Sequence, residues 1–147
     1  MILNVKLKRT APNAILPSYG SEGAAGADLY ALPDGDVTLA PGETKLIRTG
    51  VALAIPEGYV GLIFARSGLA TKQGLAPANK VGVIDCDYRG EILVPLLNHS
   101  DTVRTVSAGE RIAQIALIPY GKAAFELTET LDDTRRGEGG FGSTGRT

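Results

Sequence analysis

The chain has little sulfur and little imidazole. A single cysteine, Cys86, excludes an intramolecular disulfide framework and a cysteine-based zinc finger. A single histidine, His99, excludes histidine-rich metal sites and a paired-histidine acid–base mechanism. The formal net charge is -1, so nothing in the overall balance points to nucleic acid or a membrane surface as partner. Met-Ile-Leu-Asn-Val-Lys-Leu-Lys-Arg-Thr at the start has no apolar h-region, and no run is long enough to span a bilayer. The expectation is therefore a cytoplasmic or otherwise intracellular, reducing setting. A small anionic ligand stays open, because it needs only a local cluster of cations.

What remains is ordinary globular material: 147 residues, 44% hydrophobic and 21% charged, enough for one domain with a real core. Glycine (19) and proline (8) recur at short intervals rather than gathering in a linker. Between them lie strand-length segments, several with period-2 alternation. Leu3-Val5-Leu7 alternates with Asn4-Lys6-Lys8, and Thr44–Thr49, Val51–Ile55, Tyr59–Phe64, Glu91–Leu97 and Arg111–Ile118 continue the series. Many short strands at this spacing predict an all-β barrel or sandwich. Ser67–Gly74 lacks alternation; Ser67 could cap a short helix there and Gly74 stop it. After Thr128 the chain turns polar and then glycine-dense, with no apolar period to hold it on a core. Its lone Phe141 and its arginines suggest a tail that orders when something binds.

Two phosphate motifs match the tail by spelling alone. Gly140 to Gly145 fits G-x-G-x-x-G, and Gly140 to Thr147 fits the P-loop except that Arg146 replaces lysine. Both require a helix immediately afterwards, and no sequence follows Thr147 here to form one. The simpler physics survives: glycines admit an anion close to backbone amides, while hydroxyls and arginine add charge-assisted hydrogen bonds.

Four further segments carry chemistry. Gly23–Ala31 places Asp28 after small residues at a strand start; in isolation it reads as a turn-capping aspartate. Ala65–Ala70 puts the Arg66 guanidinium, the Ser67 hydroxyl and the Gly68 amide at one point, either an anion site or a plain surface loop. Asn79–Glu91 is two apolar runs around a polar turn and predicts a β-hairpin offering an amide, carboxylates and an aromatic ring. Gly109–Gln114 is a turn entering a strand, with Gln114 the polar residue in an apolar run.

In order and wording these segments resemble the five motifs of the trimeric deoxyuridine triphosphatase (dUTPase) family. The matches are A-A-G-A-D-L-Y, A-R-S-G-L-A, N-K-V-G-V-I-D-C-D-Y-R-G-E, G-E-R-I-A-Q and R-G-E-G-G-F-G-S-T-G, spread from residue 23 to residue 145. The resemblance implies a compact jelly-roll-like (β-clip) barrel of many short strands with one short helix and a flexible glycine-rich arm. Residues 1–147 would be one domain, 1–128 the barrel and 129–147 the arm. It implies a homotrimer with active sites at subunit interfaces, hydrolysing dUTP to dUMP and pyrophosphate with magnesium.

Residue by residue, the resemblance makes Asp85 the carboxylate that positions and activates water. Asn79, with hairpin backbone around Val83, would read the uracil edge, and Tyr88 would pack under the deoxyribose. Asp28 would meet magnesium through water. Arg66, Ser67, Gly68 and Gln114 would form a phosphate shell from a neighbouring subunit. Arg136, Phe141, Gly142, Ser143 and Thr144 would close over the nucleotide. Ala65 and Cys86 depart from the proline and serine of many relatives. A dCTP deaminase on the same fold, or a nucleotide-switched binding protein, stays open at this point. The first is disfavoured because Val94, Pro95 and Leu96 stand where its catalytic glutamate would be sought.

Overall fold

The computed structural model describes residues 2–32 and 34–140. Among the described residues twelve strands form four antiparallel sheets. The largest has the order β2 (Ser18–Tyr19), β3 (Ala27–Tyr30), β12 (Arg111–Pro119), β7 (Tyr59–Phe64), β9 (Gly82–Ile84). A three-stranded sheet runs β5 (Thr44–Arg48), β10 (Leu93–Asn98), β8 (Leu75–Pro77). Two ribbons complete the body, β1 (Lys6–Arg9) with β6 (Val51–Ala54), and β4 (Val37–Leu39) with β11 (Arg104–Val106). The all-β expectation holds. No helix among the described residues is long and apolar enough to cross a membrane.

Alternation explains which faces turn inward. In β10, Val94, Leu96 and Asn98 are fully buried while Leu93, Pro95 and Leu97 face out. Pro95 sits just beyond the last β8 ladder pair: its carbonyl accepts from the Ala78 amide, and its missing N–H falls on that same side, at the end of β8. In β12 the pairing with β3 shifts between Arg111 and Ala113. The resulting irregularity lets both Ile112 and Ala113 bury. Leu29, Leu39, Leu75, Ile92, Val106 and Ile112 come from every part of the chain and meet in one core with no residual exposure. The buried Asn98 is fully occupied. Its Nδ2 donates to Leu39 O (3.0 Å) and Thr102 O (2.8 Å), and its Oδ1 accepts from the Ser100 amide and hydroxyl. Leaving those backbone groups unpaired would cost about 1–3 kcal/mol each.

Two local expectations need correction. Asn79–Glu91 does not close as a β-hairpin. Its first run becomes β9 and pairs with β7, while its second enters β10 and pairs with β5 and β8, so residues 85–91 bridge two sheets. The helical segment forms, but Ser67 is not its side-chain cap: the capping position is Gly68, with no side-chain hydrogen bond. The segment widens into a π-helical turn, Leu69–Gln73, and left-handed Gly74 (φ 68°) ends it by donating to Leu69 O.

Among the described residues, regular structure ends with β12 at Pro119. Beyond it Phe125, Leu127 and Leu131 are almost wholly exposed. An open apolar groove of about 770 Å³ is lined by residues including Leu3, Val5, Leu7, Leu53, Ile115 and Leu117.

Candidate active site

The β3–β12–β7 register builds the first half of the site. Asp28 stands opposite Gln114, and Gln114 opposite Phe64. Arg66 follows two residues beyond that strand end and turns back toward β3. Its Nε donates to Asp28 Oδ1 at 2.8 Å, and Arg111 Nη1 donates to Asp28 Oδ2 at 3.2 Å. A third contact, Arg66 Nη1 to the Arg111 carbonyl at 3.4 Å, closes the corner. Asp28 keeps only 9% of its surface exposed. Such burial of a carboxylate is tolerable because both oxygens accept from cations. The corner carries two guanidiniums against one carboxylate, a surplus of positive charge suited to an anion.

Gln114 is aimed by its neighbours. Its Nε2 donates to the Ala65 carbonyl at 2.9 Å, leaving its Oε1 beside Gly26. A Cβ at position 26 would lie 2.7 Å from that oxygen, so a larger residue there would displace the Gln114 amide. Ala65 participates through its carbonyl, a group that proline would supply equally. Ser67 and Gly68 are exposed next to Arg66, and the Ser67 carbonyl accepts from the Thr71 hydroxyl at 2.7 Å.

The second half lies along β9 and the segment after it. Asn79 folds back over Gly82, within 3.4 Å of where a Cβ there would stand. Val83 is 60% exposed in the middle of the edge strand. Asp85 is exposed, and among the described residues its carboxylate has no hydrogen-bond partner; only its backbone carbonyl is used, by the Tyr88 amide at 3.2 Å. Tyr88 is half exposed, its hydroxyl donating to the Glu91 carbonyl at 3.0 Å. Cys86 meets the Tyr120 hydroxyl at 3.9 Å, and that contact holds the Tyr120 phenol above its ordinary pKa.

The two halves do not meet within one chain. Asp85 follows Ile84, whose partner is Gly61 near the start of β7, whereas Arg66 follows Phe64 at its end. From Val60 to Phe64 is roughly 13 Å of strand. Arg136 is exposed and donates to the Gly139 carbonyl at 2.7 Å. Phe141, Gly142, Ser143 and Thr144 lie outside the described residues.

Arg111 is the site residue to which the sequence reading gave no role. It sits in the same short motif as Gln114, but only the β3–β12 register reveals that it shares Asp28 with Arg66.

Magnesium can be weighed against these groups. Among the described residues no three of His, Cys, Asp and Glu gather as a ligand set. Asp28 is one carboxylate already engaged by two guanidiniums. That donor set fits an ion carried mainly by phosphate oxygens and water, with at most one carboxylate reached through water.

The fold and this paired arrangement define an all-β domain of the β-clip class carrying an anion corner and a separate, exposed carboxylate. The family model for dUTPase matches residues 12–145, and the chain belongs to the dUTPase family. It is 50% identical over 143 residues to the deoxyuridine 5'-triphosphate nucleotidohydrolase of Syntrophotalea carbinolica, covering 97% of each chain. Among solved structures it resembles a Staphylococcus bacteriophage 80alpha dUTPase with dUpNHpp (TM-score 0.88, 29% identity, 97% of this chain and 98% of that one). It also resembles the dUTPase from phage phi11 of S. aureus, described with a structural Mg(II) ion (TM-score 0.77, 27% identity, 87% and 98% coverage).

Proposed function

We propose that this chain hydrolyses dUTP to dUMP and pyrophosphate, by in-line attack of water on the α-phosphorus, in a homotrimer whose sites span subunit interfaces. The observation that carries this reading is the separation of the two half-sites by β7. An exposed carboxylate with no partner and a cation-rich corner are each incomplete, and a second copy would bring the corner of one chain against the β9 segment of another. The open apolar groove and the exposed Phe125, Leu127 and Leu131 support association between copies.

In this reading Asp85 orients the attacking water and takes its proton, and its lack of competing partners keeps it available. Alignment of water with phosphorus does most of the work. Asn79 and the backbone about Val83 read the uracil edge, where a wrong base would leave polar groups unpaired. Tyr88 closes the space a 2′-hydroxyl would need. Arg66, Ser67, Gly68 and Gln114 receive the phosphates. Asp28 aims Arg66 and would meet magnesium through a water molecule; when bound, that ion spreads the triphosphate charge. Residues 129–147 act as the arm, with Arg136 at the γ-phosphate, Phe141 on the base, and Gly142, Ser143 and Thr144 closing over the phosphates. The intracellular role is to limit uracil in DNA and supply dUMP for thymidylate synthesis.

Pyrophosphate release from dUTP, dTTP, dCTP and UTP, with magnesium and then with EDTA, tests the chemistry. Magnesium-dependent release from dUTP alone is expected. Ammonia from dCTP, or no release from any nucleotide, would overturn the reading. Sedimentation at working concentration should give three chains per particle.

A further inference from the structure

We infer that Glu91 is a specificity-positioning residue: its side chain anchors the 85–91 segment to the β5–β6 turn and thereby fixes the Tyr88 ring against which the sugar is read. The inference rests on the reading of Tyr88 as the sugar-facing residue.

The segment 85–91 leaves β9 in one sheet and enters β10 in another, so no continuous strand pairing holds it. Its geometry is set by a few specific contacts instead. The Tyr88 hydroxyl donates to the Glu91 backbone carbonyl at 3.0 Å. The ring lies so close over Gly90 that a Cβ there would overlap the phenol. Arg89 Nη1 donates to the carbonyls of Cys86 and Tyr88, at 2.7 and 2.9 Å, and sets the curve of the turn. The bond that locates the tip of the ring therefore refers back to where residue 91 is held.

Residue 91 is held on one side by the peptide it shares with Ile92, and on the side facing the segment by its own side chain. Glu91 Oε1 accepts from Arg48 Nε (3.1 Å) and from the Gly50 amide (2.9 Å), and Oε2 accepts from Arg48 Nη2 (3.0 Å). A forked guanidinium and a backbone amide on one carboxylate fix both its position and its direction. Arg48 ends β5 and Gly50 lies in the buried turn before β6, so the anchor is part of the rigid body. The next residue is tied separately: Thr49 Oγ1 donates to Ile92 O at 2.7 Å, and the Ile92 amide donates to Val51 O. Glu91 thus marks the boundary between fixed core and the segment that carries Tyr88. A ring released from this reference would swing and admit a larger sugar, while the base edge, read from Asn79 and β9, would be untouched.

The test compares kcat/KM for UTP with that for dUTP, and for dTTP and dCTP with that for dUTP. Glu91→Ala is expected to raise the UTP:dUTP ratio about tenfold, and Glu91→Gln, which retains an acceptor for Gly50, about threefold. Ratios for the two wrong bases should stay within about twofold. Thr49→Val removes the neighbouring buried bond and should lower Tm without moving the sugar ratio. The inference is overturned by an unchanged UTP:dUTP ratio in a folded Glu91→Ala protein. It is equally overturned if Thr49→Val shifts the ratio as much, or if sugar and base selectivity relax together. An unmutated protein that hydrolyses no dUTP would instead defeat the underlying reading.

Discussion

Asp28 and Asp85 are carboxylates at two strands of the same sheet, yet their surroundings are opposite. Asp28 is nearly buried and shared by the guanidiniums of Arg66 and Arg111. Asp85 is exposed and, among the described residues, has no side-chain partner. A carboxylate whose oxygens both accept from cations holds those cations still. A carboxylate with free lone pairs orders nothing around it, but it can orient water. The comparison separates the work of building an anion cradle from the work of handling a proton, and the same residue type serves both.

The sharpest way to break the comparison is Asp85→Asn. Turnover should fall at least a hundredfold, within the usual range of about 10²–10⁴ for loss of a general base. Affinity for a non-hydrolysable dUTP analogue, measured by calorimetry, should be retained. Full turnover in the variant would remove Asp85 from its role. The converse change, Asp28→Ala, should show up first as instability. Stranding two guanidiniums should cost about 2 kcal/mol in urea unfolding, less than for a fully buried pair because both arginines keep solvent contact. Asp85→Ala should cost under about 0.5 kcal/mol in the same measurement. Equal losses would mean that the two settings differ less than their geometry implies.

A third carboxylate sharpens the contrast with the smallest effect. Burial alone would push the Glu91 carboxyl up, but hydrogen bonds from Arg48, Gly50 and Thr10 together outweigh it and hold the group below its ordinary 4.5. Because the folded value is depressed, Glu91 contributes stability above the unfolded value and loses it as pH falls through the folded one. Glu91→Gln should therefore flatten the acid limb of the stability profile below about pH 5, by less than about 1 kcal/mol given the exposure of Arg48. Parallel profiles for the two proteins would show that the ion pair contributes nothing.

Much of this architecture was readable from residues alone. Thr44–Arg48, Val51–Ala54, Tyr59–Phe64 and Arg111–Pro119 carry apolar patterns long enough to be recognised as strands. Ser18–Tyr19, Val37–Leu39, Leu75–Pro77 and Arg104–Val106 are two or three residues long, too short for a period to register. The choice of partner was not legible either. Two apolar runs around a turn suggest a hairpin, but β9 pairs with β7 and β10 with β5 and β8. Asp28, Arg66 and Gln114 were marked by their motifs. Arg111 was invisible as a partner because its link to Asp28 depends on a register across 83 residues of chain.

The last backbone bond of the body, from the Tyr120 amide to Gly58 O, gives the end of the chain a single fixed origin. Arg136 lies sixteen residues further on. Behaving as a random coil, a segment of that length would have an end-to-end reach of roughly 20–25 Å. A compact body of about 120 residues has a radius of gyration of only roughly 14 Å. The tether can therefore present its arginine to a neighbouring chain as easily as to its own, at an effective concentration near the millimolar range in an assembly. Lengthening or shortening the tether would change how often the arm is present while leaving what it touches unchanged.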